Sequence, residues 1–119
     1  MSRQIIQTPN APQPIGPYSQ AVMSGDLLFI SGQICFDPAT GELKKSNLQE
    51  ETHQVMHNLK AILQEAGMDF SHVTKTTIFL TDMNRFTEVN EVYGKYFESS
   101  FPAREMSFTL PRSTNASAR

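Results

Sequence analysis

The chain has 119 residues, 39% hydrophobic and 18% charged, enough for one compact domain and too few for a second. Seven Pro, six Gly and no repetitive stretch exclude a fibre or a long disordered segment, and ten Lys+Arg against twelve Asp+Glu offer a polyanion no general attraction, so nucleic acid is not an expected partner. The single cysteine, Cys35, builds neither an internal disulfide nor a Cys-rich metal site, and no segment approaches the roughly 20 apolar residues of a membrane span, so the expectation is a soluble, cytoplasmic protein.

Arg3 to Gln7 reads as a short strand. The following PNAPQPIGPYSQ holds four prolines, which forbid regular helix and predict an ordered loop. Gln20–Met23 and Leu27–Ile34 are apolar runs around Ser24-Gly25-Asp26, a β-hairpin pattern. FDPATGE then turns the chain. From Leu48 the period becomes helical, with Leu48, Thr52, Val55, Leu59, Ile62, Leu63 and Ala66 on one face. Asn47 with Glu50 resembles a capping box and Gly67 supplies the stop. Val73–Thr81 is β-branched and aromatic, a strand by composition. Phe86, Val89, Tyr93, Tyr96 and Phe97 mark a second amphipathic helix, ended before Pro102. A strand from about Arg104 to Leu110 completes the order βββαβαβ, an α+β or α/β sandwich with both helices on one face of the sheet. Residues 111–119, PRSTNASAR, form a polar tail to this single domain. The uncovered sheet face predicts self-association.

His53 and His57 lie four apart, a spacing able to place two imidazoles on one metal. The sequence is HQVMH rather than HExxH and both lie opposite the apolar stripe, so a solvated helix face is expected and no metal is assigned. Cys35 has no evident neighbouring base and reads as a small core hydrophobe. Ser31-Gly32 is not GxSxG, which gives a serine-hydrolase triad no support. In Phe101-Pro102-Ala103-Arg104 an arginine follows a rigid turn at the start of a strand. Two readings stand: a solvated or ion-paired arginine, or a planar guanidinium fixed for two-point recognition of a carboxylate.

Ala11-Pro12 leading to Ile15-Gly16-Pro17-Tyr18-Ser19-Gln20-Ala21, then Phe29-Ile30-Ser31-Gly32-Gln33-Ile34, resembles the RidA (YjgF, L-PSP) family of enamine/imine deaminases. The resemblance continues in register through Val55–Gly67, Lys75–Asn84, Val89-Asn90-Glu91-Val92-Tyr93 and Phe101–Arg104, over residues 3 to about 106. It implies a chorismate-mutase-like α+β fold, with both helices on one face of a mixed sheet, assembled as a homotrimer with sites between subunits. It also implies hydrolysis of 2-aminoacrylate, its tautomer 2-iminopropanoate or the homologue 2-iminobutanoate to a 2-oxo acid and ammonia, without cofactor, metal or membrane. By position, the resemblance makes Arg104 the catalytic residue that grips the substrate carboxylate, and Tyr18 the residue that closes over the ligand. Ser31 and Gly32 would line the pocket, Asn90 would complete its polar wall from the second helix toward a neighbouring subunit, and the Met106 backbone would lie beside the substrate.

In the family a Leu-Pro turn leads to a final aliphatic strand carrying a glutamate thought to position water. Here Leu110-Pro111 arrives about two residues early and no acidic residue follows Glu105, whose side chain should point away from that of Arg104. The final family strand is thus expected to be absent or altered. A second reading is a catalytically impaired trimeric protein that binds small carboxylates or partners. A third, from the family's description as endoribonuclease and translation inhibitor, is disfavoured by the acidic balance.

Overall fold

The two-residue period of a strand sorts the side chains of the N-terminal strands onto two faces, and both faces carry apolar residues. In the computed structural model, which describes residues 3–108, β1 (Arg3–Ile6), β2 (Ala21–Ser24) and β3 (Leu27–Ile30) pair antiparallel in the order β1-β2-β3. The register aligns Ile6, Ala21 and Ile30 in one row and Gln4, Met23 and Leu28 in the next. Apart from the exposed Gln4, these rows turn inward: Ile6 and Ala21 are buried with Ala11 and Ile62, and Met23, Leu28 and Ile30 pack around them. The alternate row, Ile5, Val22 and Phe29, faces outward, with Ile5 50% and Phe29 60% exposed.

β3 stops at Ile30 instead of running to Ile34. The Ser31 N–H donates to the Gln20 carbonyl at 3.0 Å, its hydroxyl donates to the Ser19 carbonyl at 2.6 Å, and the chain leaves the ladder. FDPATGE does turn, and two short strands that sequence reading omitted flank it: β4 (Phe36–Asp37) and β5 (Glu42–Leu43). Asp37 closes the turn by accepting from the Ala39 N–H at its side chain (2.8 Å) and from the Gly41 N–H at its carbonyl (2.8 Å). Gly41 takes a φ of +77°, a value an L side chain resists.

Helix α1 (Leu48–Glu65) begins where the sequence predicts, with the Asn47 side chain accepting from the Glu50 N–H at 2.7 Å. It ends in a Schellman motif: Gly67 at φ +75° donates to Gln64, and Met68 donates to Leu63. Its buried residues are Met56, Asn58, Ile62 and Leu63. Asn58 is the unanticipated member, donating to the carbonyls of Ile34 and Phe36 at 3.0 and 2.9 Å and tying α1 to the segment after β3.

A 3₁₀ turn (Phe70–His72) leads into β6 (Lys75–Leu80), and a second (Met83–Arg85) into α2 (Phe86–Gly94). α2 stops short of Phe97 because the N–H groups of Lys95, Tyr96 and Phe97 bond three residues back, tightening the last turn. β7 (Ala103–Phe108) then pairs parallel with β6, so β6, α2 and β7 form a βαβ unit. Met56 of α1 meets Tyr93 and Phe97 in a second core with Ile78 of β6 packed against it, which puts both helices on one side of the strands, the expected α+β arrangement. Among the described residues the strands form an antiparallel trio, a hairpin and a parallel pair, with no ladder joining them into the single sheet expected. The expected end of the last strand, the tail at 111–119 and the final family strand lie outside the described residues. No helix among the described residues is long and apolar enough to cross a membrane.

Candidate functional site

Pro102 releases the chain into β7, whose first N–H, at Ala103, donates to the Thr74 carbonyl at 3.0 Å. The ladder sets Arg104 beside Thr76 and Met106 beside Ile78. These four are the half-buried positions of an alternation whose exposed members are Lys75, Thr77, Phe79, Ala103 and Glu105. Arg104 therefore projects toward α2, while Glu105 points away and lies 3.7 Å from Lys75 Nζ. That matches the expected divergence of Arg104 and Glu105.

On α2, Phe86, Asn90 and Tyr93 are spaced four and then three residues apart and share one helix face. The Arg104 guanidinium carbon lies 5.3 Å from the Phe86 ring centroid and 5.1 Å from that of Tyr93. Its Nη1 donates to Asn90 Oδ1 at 2.6 Å. The Tyr93 hydroxyl bonds to the Thr76 hydroxyl at 2.8 Å. Among the described residues Arg104 makes no ion pair. A guanidinium is always charged and carries five N–H donors. Here one donor meets a neutral acceptor, two aromatic faces supply attraction to the charge, and among the described residues the remaining donors have no hydrogen-bond partner.

The residues from the N-terminal half form a second group. Gln20, 3% exposed, fastens the Pro-rich loop: its Oε1 accepts from the Thr8 N–H at 2.7 Å, and its Nε2 donates to the carbonyls of Thr8 (3.0 Å), Ala11 (3.3 Å) and Pro12 (2.9 Å). Ser31 clamps the far end of that loop through the Ser19 carbonyl. Between the two anchors Tyr18 is 53% exposed, its N–H donating to Gly16. A Cβ added at Gly32 would meet no atom within 4 Å, so open space adjoins this backbone.

The structure thus joins Arg104 with Asn90, and ties Ser31 to Ser19, the residue next to Tyr18 in the chain. Among the described residues no hydrogen bond links the two groups. Asn90, expected to point toward a neighbouring subunit, spends its carbonyl oxygen on Arg104 of its own chain, because the α2 face carrying it packs over β7. Phe86, Tyr93 and Thr76 were not singled out from sequence. The signal for the first two was present, since they bracket Asn90 at helical spacing.

His53 is a correction. It is half-buried, its Nδ1 lies 2.7 Å from the Tyr96 hydroxyl, and the rings meet edge-on, because the turn that follows α2 folds over this part of α1. His57, one turn on, is exposed as expected. Burial pushes the Tyr96 hydroxyl above its ordinary value. Cys35 is half-buried, and burial first, then the Glu51 carboxylate, raise its thiol above the usual range, which suits a packed thiol rather than a nucleophile. A cleft of about 380 Å³ lies elsewhere, between the Pro-rich loop, the β4–β5 turn and α1, with Asn10, Asp37, Gln54 and His57 among its lining residues.

Residues 8–107 match the family described as Endoribonuclease L-PSP. A RutC family protein of Pyrococcus horikoshii is 53% identical over 86% of this chain and 81% of its own length. The human protein named 2-iminobutanoate/2-iminopropanoate deaminase is 50% identical over 86% of this chain and 74% of its own. The crystal structure of Escherichia coli TdcF with bound serine superposes with a TM-score of 0.86 at 37% identity, over 93% of this chain and 89% of that one.

Proposed function

The chain belongs to the Endoribonuclease L-PSP family, and from that membership and the surroundings of Arg104 we propose that it hydrolyses 2-imino acids to 2-oxo acids and ammonia. The observation that carries this reading is a half-buried guanidinium with neutral and aromatic partners and, among the described residues, no carboxylate, which leaves its charge for a ligand. The relatives support the substrate class: one at 50% identity is named for 2-iminobutanoate and 2-iminopropanoate, and a structural neighbour holds serine, itself a small amino acid carboxylate.

In this reading Arg104 takes the substrate carboxylate in a two-point bond. Protonation of the 2-aminoacrylate methylene carbon gives 2-iminopropanoate in its iminium form, whose C=N carbon is electrophilic. Water adds there, a proton passes from the added oxygen to nitrogen, and the C–N bond breaks as the C=O bond forms, releasing ammonia and pyruvate and returning the proton taken up at carbon. Holding the carboxylate fixes the C=N carbon in place for attack. Tyr18 covers the ligand, and Ser31 acts by securing the loop that carries Tyr18 rather than by touching the reacting atoms. Gly32 and the Met106 backbone border the space.

The sites lie at subunit boundaries of a homotrimer. What supports this is the outward row of Ile5, Val22 and Phe29, apolar surface that a second copy would cover. The Tyr18 group of one protomer then faces the Arg104 group of the next. Binding without turnover is the second reading, favoured by one observation: among the described residues the side chains placed around Arg104 are Asn90, Phe86, Tyr93 and Thr76, none of them a carboxylate or imidazole.

The test is pyruvate release from 2-aminoacrylate generated by a dehydratase, with semicarbazide competing for the imine. The protein should accelerate release. Arg104→Ala and Arg104→Lys should each lower kcat/KM by roughly 10- to 100-fold, the scale of a charge-assisted hydrogen bond. Saturable 2-oxobutanoate binding without acceleration would establish the second reading, and neither turnover nor binding would overturn both.

A further inference from the structure

We propose that Tyr93, oriented by its hydrogen bond to Thr76, is a positioning residue that presets the Arg104 guanidinium for a planar carboxylate. This rests on the reading of Arg104 as the carboxylate-binding residue. Phe86 and Tyr93 stand two turns apart on α2, about 10 Å of helix rise. A guanidinium 5.3 Å from one ring centroid and 5.1 Å from the other lies between them. Asn90, on the intervening turn, takes Nη1.

The two rings are held differently. Phe86 is half-buried and has no polar handle. Tyr93 is 7% exposed, packed with Met56 and Phe97, and its hydroxyl meets Thr76 at 2.8 Å. Thr76 is also the residue registered against Arg104 in the β6–β7 ladder. The tyrosine ring and the arginine backbone are therefore referenced to the same residue of the same strand. The circuit Thr76, Tyr93, Arg104 and back through the ladder is closed. An arginine loses considerable rotamer freedom when it binds, and a guanidinium held in place beforehand loses less on capture of its ligand. The effect acts on carboxylate binding in ground and transition states alike, so it should appear in KM rather than kcat.

Thr76→Val and Tyr93→Phe each remove one hydroxyl and keep the side chain's bulk. Each should raise the KM for deamination, and the Kd for 2-oxobutanoate, by roughly five-fold, the scale of one hydrogen bond, with kcat within about two-fold. Because both lose the same bond, the double variant should match either single variant. Tyr93→Leu, which also removes the aromatic face, should raise KM further than Tyr93→Phe, so the conservative change rescues part of the loss. The Arg104 Nε–H resonance, identified by its disappearance in Arg104→Lys, should shift in Thr76→Val, which a purely structural role for the hydroxyls would not require.

Unchanged KM and Kd in both single variants, with binding lost in Arg104→Ala, would overturn the proposal while leaving the Arg104 reading intact. So would a double variant equal to the sum of the singles. Absence of both turnover and 2-oxobutanoate binding in the unmodified protein would overturn the Arg104 reading itself. The Nε–H resonance then decides the positioning on its own, a shift supporting it and an unmoved signal overturning it.

Discussion

Asn90 and Arg104, fourteen residues apart, meet through one hydrogen bond, Nη1 to Oδ1 at 2.6 Å. The acceptor is an amide, not a carboxylate, and that single atom type governs what the arginine can do. An amide orients the guanidinium and leaves its charge uncompensated. A carboxylate in the same place would orient it equally well and neutralise it.

Asn90→Asp should therefore weaken 2-oxobutanoate binding more than Asn90→Ala, although aspartate is the closer match in shape. Alanine removes the orienting bond, a loss of roughly 1 to 3 kcal/mol. Aspartate adds an internal competitor for the ligand's own carboxylate, and binding should fall by a further order of magnitude, about 1.4 kcal/mol. Titration calorimetry on both variants checks this. Equal affinity for the two would show that the charge of Arg104 is not what the ligand uses.

Gln20 organises the Pro-rich loop from inside, with Thr8 and Ala11 buried beside it at 2% and 0% exposure. Gln20→Leu strands the Thr8 N–H and the Pro12 carbonyl, while the Thr8 and Ala11 carbonyls keep Gln13 Nε2 as a donor. Urea unfolding should report a loss of about 2 to 4 kcal/mol, from a penalty of 1 to 3 kcal/mol per buried unpaired group. Gln20→Glu adds a pH signature. Burial against carbonyl oxygens raises the introduced acid's pKa above its unfolded value, so stability is fully present below the unfolded pKa and is lost as pH rises through the folded one. A pH-independent loss would mean the carbonyls do not face this side chain.

The parts of this fold that local rules govern were legible. The Asn47 cap, the Gly67 stop, the FDPATGE turn and both helices follow from residues a few positions apart. The Phe101-Pro102-Ala103-Arg104 signal singled out the arginine. What escaped depends on contacts across the chain. β3 ends early because Ser31 is claimed by Ser19 and Gln20 from the preceding loop. Asn58 is buried, despite its polarity, because carbonyls of Ile34 and Phe36 reach it. The Thr76–Tyr93 bond spans seventeen residues and depends on β6 lying under α2. His53 reads as solvated from its own helix alone, and the Tyr96 hydroxyl that meets it is brought there by the turn after α2.

Cys35 should behave as a protected thiol. Burial disfavours its thiolate, the Glu51 carboxylate adds to the effect, and the thiol stays protonated to higher pH than a free cysteine. Because the thiolate is the nucleophile, iodoacetamide at pH 8 should modify folded protein more slowly than the same protein in urea. The folded rate should still be rising at pH values where the unfolded rate has levelled off. Glu51→Gln should recover part of the difference and not all of it, because burial is the larger cause. Equal rates in folded and unfolded protein would contradict this assignment.

Phe29 is the residue on which the assembly should depend. It stands 60% exposed at the end of the cross-strand row formed with Val22 and Ile5, on the sheet face away from α1. Covering an aromatic side chain of this size contributes about 1.5 to 3 kcal/mol, repeated at each boundary of a closed ring. Phe29→Glu would instead bury a carboxylate there at a cost of several kcal/mol, while in a lone protomer the same position faces water and tolerates the charge. Sedimentation velocity should therefore find a trimer for the unmodified protein and a monomer for the variant, with an unchanged far-ultraviolet circular dichroism spectrum. Loss of 2-oxobutanoate binding should accompany dissociation, since Tyr18 and Arg104 would no longer meet across a boundary. A variant that remains trimeric would place the interface on another surface, and a monomeric variant that still binds the ligand would confine the site to one chain.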